Sequence, residues 1–179
     1  MAKVQYYVAS TIDGFIADEN DNIDWLLQFG FKSFQDDYDR FIADVGAIIM
    51  GSTTYEWIIG EGEPWAYGAT PVWVLTTRDL PPVAGADIRF FHGQVSDLHR
   101  DALAAAGGKN VWVVGGGNVA AQFADKGLLD ELVLTVMPIV LGSGKKLLPI
   151  GGVTEPLTLV QTTAFEQGAV GLRYRLTKD

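Results

Sequence analysis

Three segments of the sequence put glycines, hydroxyls and one guanidinium where they could hold phosphate. The sharpest is Val113-Val114-Gly115-Gly116-Gly117-Asn118-Val119-Ala120, an apolar run that enters three glycines and then a helical pattern. Glycine lets the backbone approach a ligand closely and adopt conformations closed to other residues. The helix N-terminus behind it offers free N–H groups and a partial positive charge. A tight strand–helix turn needs one glycine for its geometry; three read as a phosphate cradle. In Met50-Gly51-Ser52-Thr53-Thr54-Tyr55 an apolar run again ends in glycine and opens a helix, now with three consecutive hydroxyls. Ser and Thr also cap helices, and capping alone accounts for them equally well. The third segment is Leu75-Thr76-Thr77-Arg78, where Arg78 taken alone is an exposed residue after a strand.

Other candidates reduce to simpler readings. Gly115 to Ala120 satisfies G-x-G-x-x-A, but a Rossmann unit needs an acid at the end of the next strand, and Thr135 to Met137 supply none. Asp18, Asn20, Asn22 and Asp24 alternate like a calcium loop, yet Ile23 stands where the loop needs Gly and Phe29 where it needs Glu. This is a polar loop, and no metal site is expected. His92 and His99 lack ligand or triad spacing.

The elements that must position these segments alternate. Strands are expected over 4–9, 47–50, 72–75, 88–91 and 111–114. Helices are expected at about 34–45, 53–59, 96–106 with Ser96 as N-cap, and 118–126. Apolar strands separated by helices predict a parallel sheet covered on both faces. Leu132 to Val140, Leu157 to Phe165 and Gly171 to Leu176 follow without helices between them, so antiparallel pairing is expected there. The predicted fold is α/β: one domain over 1–179, a three-layer α/β/α sandwich with a mixed, mostly parallel sheet. The three segments then share the carboxyl edge of the sheet, where open α/β sheets bind ligands. The stretch 60–70, rich in Gly and lacking periodicity, reads as a loop or lid.

Composition narrows the function. The chain has no cysteine, which removes disulfides, thiolate catalysis and Cys-based metal sites. Its net charge of −9 and lack of any basic cluster beyond Lys145-Lys146 argue against a nucleic-acid partner. No apolar run approaches the ~20 residues of a membrane span, and the N-terminus lacks a signal-peptide core. A cytoplasmic protein acting on a small molecule is expected.

The order of motifs resembles the dihydrofolate reductase superfamily, and most closely the branch similar to the C-terminal reductase domain of the bifunctional riboflavin-biosynthesis enzyme. The resemblance is carried by Val8-Ala9-Ser10-Thr11-Ile12-Asp13-Gly14-Phe15-Ile16-Ala17, Gly51-Ser52-Thr53-Thr54-Tyr55, Val74-Leu75-Thr76-Thr77-Arg78 and Val114-Gly115-Gly116-Gly117-Asn118-Val119. It continues through Leu128-Leu129-Asp130-Glu131-Leu132 and Pro138-Ile139-Val140-Leu141-Gly142-Ser143-Gly144. The resemblance implies an NADPH-dependent oxidoreductase. Its cofactor's pyrophosphate would lie over Gly116, Gly117, Asn118 and Val119 and against Thr53 and Thr54, beside Gly51 and Ser52. Leu75, Thr76, Thr77 and Arg78 would face the adenosine end, with Arg78 on the 2′-phosphate. Ala9 and Ile16 would lie beside the nicotinamide, and a cis peptide is implied between Gly115 and Gly116.

Asp13, Asp24, Trp25 and Trp65 are the residues expected near the substrate, with Asp13 the candidate for catalysis. Asp13-Gly14 could equally be a turn, and Trp25 a core aromatic. Folate reductases carry their catalytic carboxylate a few residues after the position of Trp25, where this chain reads Leu26-Leu27-Gln28-Phe29. Riboflavin-pathway reductases have Lys after the Asp-Gly pair, where this chain has Phe15, and they are commonly fused to a deaminase. A stand-alone relative reducing a small pterin- or pyrimidine-like compound is the leading reading. Folate reduction, reduction of 5-amino-6-(5-phosphoribosylamino)uracil, nucleotide binding without turnover, and a scaffold whose glycines serve only turns are the alternatives. A homodimer is expected by the same resemblance.

Overall fold

The structure is a computed structural model and describes residues 1–176. Side-chain alternation along the central strands decides which residues build each half of the core. In β3 (Val45–Gly51), Ala47 and Ile49 turn to one face of the sheet, and Ile48 and Met50 turn to the other. β6 (Asn110–Gly115) does the same with Val111 and Val113 against Trp112. Both faces of these strands are therefore apolar, so each reads as a continuous hydrophobic run, as a doubly covered parallel sheet requires.

The first face is covered by α4 (Val95–Ala105) and α5 (Gly117–Asp125), which bury Leu98, Ala102, Ala120 and Phe123. The second is covered by α2 (Gln35–Ala43) and α3 (Ser52–Gly60), packed through Phe41, Ile42, Tyr55 and Ile58. With β1 (Val4–Thr11), β4 (Val72–Leu75), β5 (Ile88–Phe91), β7 (Glu131–Met137), β9 (Thr158–Ala164) and β10 (Val170–Arg175), the sheet runs β5-β4-β3-β6-β1-β7-β10-β9. All pairings from β5 to β7 are parallel, and β10 and β9 add antiparallel strands. This is the expected mixed three-layer α/β fold.

The departures are local. β7 stops at Met137, short of the expected Val140, because Pro138 has no N–H to continue the ladder. α4 begins one residue early, with Gln94 at the N-cap and no side-chain cap, so Ser96 lies inside the first turn. A two-stranded ribbon of β2 (Phe15–Ala17) and β8 (Lys145–Lys146) has no periodic signature; it exists through pairing across about 130 residues. A four-residue helix, α1 (Asp24–Leu27), was likewise not anticipated.

At the amino end of β1 and β7, Glu131 is 1% exposed and central to a polar brace. It accepts from Lys3 Nζ, from Gln5 Nε2 at 2.8 Å, and from Arg173 Nε and Nη2 at 2.8 and 2.5 Å. Burial pushes its carboxyl upward, but these donors outweigh burial and hold it below its ordinary value.

Candidate functional site

At the opposite, carboxyl edge lies a cleft of about 1150 Å³, larger than an ordinary small-molecule pocket. Two strand–helix turns build one end of it. β3 passes through Gly51 into α3, and β6 passes through Gly115 and Gly116 into α5. Gly51 and Gly116 are the N-caps, and neither helix has a side-chain cap or an acidic residue in its first turn. The helix dipoles and free N–H groups of α3 and α5 are thus left for an anion. The hydroxyls of Ser52, Thr53 and Thr54 sit within the first turn of α3 and do not cap it; all three line the cleft. Capping alone therefore does not account for them.

The glycines answer specific demands here. Gly115 has φ +152°, and its peptide bond to Gly116 is cis. A Cβ on Gly117 would fall on the carbonyl oxygens of Lys146 and Leu147, so the turn is pressed against β8. That contact carries Lys145 and Lys146 to the cleft wall, where they join the uncapped helix ends. Lys145 pairs with Asp21 at 3.6 Å, an exposed contact.

The other end is aromatic. Trp112 Cα lies three residues before Gly115, about 10 Å along an extended strand. Tyr7, Tyr38, Tyr67 and Trp112 line this end. Tyr7 stacks on Phe41 at 4.4 Å between ring centroids, and Tyr7, Tyr38 and Tyr67 all meet Trp112 within 6.1 Å. Burial pushes the phenols of Tyr7, Tyr38 and Tyr67 upward, with further upward pushes from Asp37 and Tyr38 on Tyr7, Asp39 on Tyr38, and Tyr38 on Tyr67. They are neutral hydroxyls at physiological pH.

Of the residues singled out from sequence, Ala9, Ile16, Gly51, Ser52, Thr53, Thr54, Leu75, Gly115, Gly116, Gly117, Asn118 and Val119 come together on the cleft wall. Thr76, Thr77 and Arg78 do not. Thr76 Oγ1 accepts from the Arg78 N–H at 2.9 Å, and the Arg78 guanidinium forks onto Glu56 of α3 at 3.0 and 2.6 Å.

The four residues expected near the substrate also lie off the wall, each for a visible reason. Asp13 accepts from Thr11 Oγ1 at 2.6 Å and from the N–H groups of Leu141 and Gly142 at 3.1 and 2.7 Å. The Thr11 hydroxyl, then those two amides, hold its carboxyl down to about 2. Asp13 ties the β1–β2 turn to the 141–142 loop and is ionised at neutral pH. Asp24 is exposed and paired with Asn22. The Trp25 and Trp65 indole N–H groups are buried without partners, and Trp65 packs edge-on against Tyr55 and Tyr67. The 60–70 loop reaches the cleft through Ala66 and Tyr67 instead.

Sequence reasoning missed Tyr7, Tyr38, Tyr67, Trp112, Lys145 and Lys146 as wall residues. Tyr7, Tyr38 and Trp112 satisfied strand and helix periodicity and looked like core, while Tyr67 sat in the aperiodic 60–70 loop. Lys145-Lys146 had only its charge to mark it.

A doubly wound α/β sheet with two glycine turns opening one cleft at its carboxyl edge defines a dihydrofolate reductase-like fold. The chain belongs to the RibD C-terminal domain family, which matches residues 64–171. It is similar to the uncharacterized protein YwjB of Bacillus subtilis (strain 168), 30% identical over 148 residues that span 79% of this chain and 80% of that one. A protein from Shewanella sp. PV-4 proposed to act in riboflavin biosynthesis superposes with a TM-score of 0.83 at 24% identity, over 99% of this chain and 100% of that one. Dihydrofolate reductase from Enterococcus faecalis, solved with NADP(H), superposes with a TM-score of 0.65 at 17% identity, over 98% and 97%. The family is related to reductases.

Proposed function

We propose that the protein is an NADPH-dependent reductase that delivers a hydride to a small planar substrate in the aromatic end of the cleft. The carrying observation is the pair of uncapped helix N-termini, α3 and α5, opening into one elongated cleft beside Lys145 and Lys146. The residues present fit a dinucleotide. A side chain on Gly116 would stand in open space, so its absence leaves that part of the wall clear, and the Ser52, Thr53 and Thr54 hydroxyls add donors to the backbone N–H groups. The E. faecalis enzyme that shares the fold was solved with NADP(H), which supports the same cofactor here.

When bound, the cofactor supplies the hydride. The chain's own residues orient and enclose. Ala9 and Ile16 offer a flat apolar wall for the nicotinamide, and Arg78 is the residue for the 2′-phosphate once its fork leaves Glu56. No Asp, Glu, His or Arg other than Asp21 lines the cleft among the described residues. The proton that accompanies a hydride is then left to a lysine ammonium, a neutral hydroxyl or water. Loss of reduced-nicotinamide absorbance, measured with pterins, pyrimidine ribityl precursors and small carbonyls as acceptors, tests the reading. Turnover with NADPH and at least one planar acceptor is expected; NADPH that binds but is never oxidised would leave a nucleotide-binding protein instead.

A further inference from the structure

The three phenols at the aromatic end pack through their rings and leave their hydroxyls unemployed among the described residues. Tyr6 and Tyr55 donate their hydroxyls to the Leu147 carbonyl at 3.1 Å and the Pro81 carbonyl at 2.6 Å. The hydroxyls of Tyr7, Tyr38 and Tyr67 have no hydrogen-bond partner among the described residues, yet none is sealed from solvent as the Trp25 and Trp65 indoles are. Three elements distant in sequence bring them together: β1, α2 and the 60–70 loop. Their rings are 6.3 Å apart for Tyr7 and Tyr38, and Tyr38 and Tyr67 stand 6.0 and 5.8 Å from the Trp112 ring they share.

We infer that Tyr7, Tyr38 and Tyr67 are the specificity-determining donors of this cleft, binding a planar ligand through its hydrogen-bond acceptors and discriminating against a cationic one. Aromatic rings can instead form a cage for a cation. Here the rings pack on each other: Tyr7 is stacked on Phe41, and Trp112 is met in T-shaped contacts by the rings of Tyr7, Tyr38, Phe41 and Tyr67. What this packing leaves without a partner, on residues that line the cleft, is the three hydroxyls. Among the described residues no carboxylate lines this end; Asp37 and Asp39 of α2, which push on Tyr7 and Tyr38, are off the wall, and Asp37 is paired with Arg40 at 3.4 Å. The wall acid Asp21 is paired with Lys145 near the phosphate end. A neutral phenol donates readily to a carbonyl or ring nitrogen, and a ligand with only donors and a charge would leave the phenol protons unmatched.

The inference rests on the proposed reductase reading only for which end of the cleft faces the substrate. Calorimetry on the full chain, with and without NADPH, would use two planar probes of one shape: quinazoline-2,4-dione, rich in acceptors, and 2,4-diaminoquinazoline, which protonates. The dione should bind and the diamine should bind more weakly. Tyr38→Phe and Tyr67→Phe keep the rings and should each weaken the dione by about fivefold, the value of one neutral hydrogen bond, while NADPH affinity is unchanged. A dione that gives no heat, a diamine that binds more tightly, or Phe variants within about twofold of wild type would each overturn the inference. Tyrosine-dependent dione binding in a chain that ignores NADPH would instead sustain the inference and defeat the cofactor reading.

Discussion

The proposed preference for NADPH turns on one residue pair, Arg78 and Glu56. The guanidinium forks onto the Glu56 carboxylate, and a 2′-phosphate would have to compete for the same donors. Both side chains are about half exposed, so the pair itself is weak. Glu56→Gln should therefore tighten NADPH by about threefold and leave NADH unchanged. Arg78→Ala should cost about tenfold in the preference for NADPH over NADH. Dissociation constants for both nucleotides on both variants check this, and an unchanged ratio in Arg78→Ala removes the residue from the site. Asp13 makes the opposite point, that a carboxylate in a suggestive motif can be fully used elsewhere. Its depressed pKa means the carboxylate's stabilisation is present above about pH 4 and is lost as pH falls toward 2. No inflection of activity between pH 5 and 9 should belong to it, and Asp13→Asn should keep whatever pH profile the wild type shows.

At the scale of elements, α5 can serve the cleft because its first turn is left bare. Gly117 stands where β8 passes, and a methyl group there must displace the backbone of Lys146 and Leu147. Gly117→Ala should lower stability by about 2 kcal/mol, as overpacking does, and should weaken NADPH more than tenfold because the turn and the lysine strand shift together. Thermal unfolding and nucleotide titration separate the two effects. The brace at the other edge has its own signature. Glu131 is held below its ordinary value, so its stabilisation is present above about pH 4.5 and disappears as pH drops further. Glu131→Gln should cost about 2 kcal/mol at neutral pH, discounted because Lys3 and Arg173 stay partly hydrated, and should flatten the acid limb of a urea-unfolding series.

Over the whole molecule, the Glu131 brace and the cleft proposed to bind the ligand sit at opposite edges of one sheet. Glu131→Gln should therefore leave NADPH affinity untouched while Gly117→Ala does not. The same geometry explains what could be read from the sequence. The strands at 72–75 and 88–91 match residue for residue, because buried parallel strands bounded by turn residues carry a local signal. The glycine turns were legible for the same reason: strand, glycine and helix are contiguous there. The aromatic end was not, since Tyr7 and Tyr38 obey core periodicity, Tyr67 sits in a stretch without any, and only the fold brings the three to one cleft. The ribbon of Phe15–Ala17 with Lys145–Lys146 was hidden too, being a long-range pairing without a repeating pattern.

The central claim is that the two bare helix ends hold a dinucleotide. Calorimetric titration of the full chain with NADPH, and with NADH beside it, tests this directly. The account predicts one-to-one binding of NADPH at sub-millimolar concentration, tighter than NADH. Absence of heat with both nucleotides at millimolar concentration would contradict it.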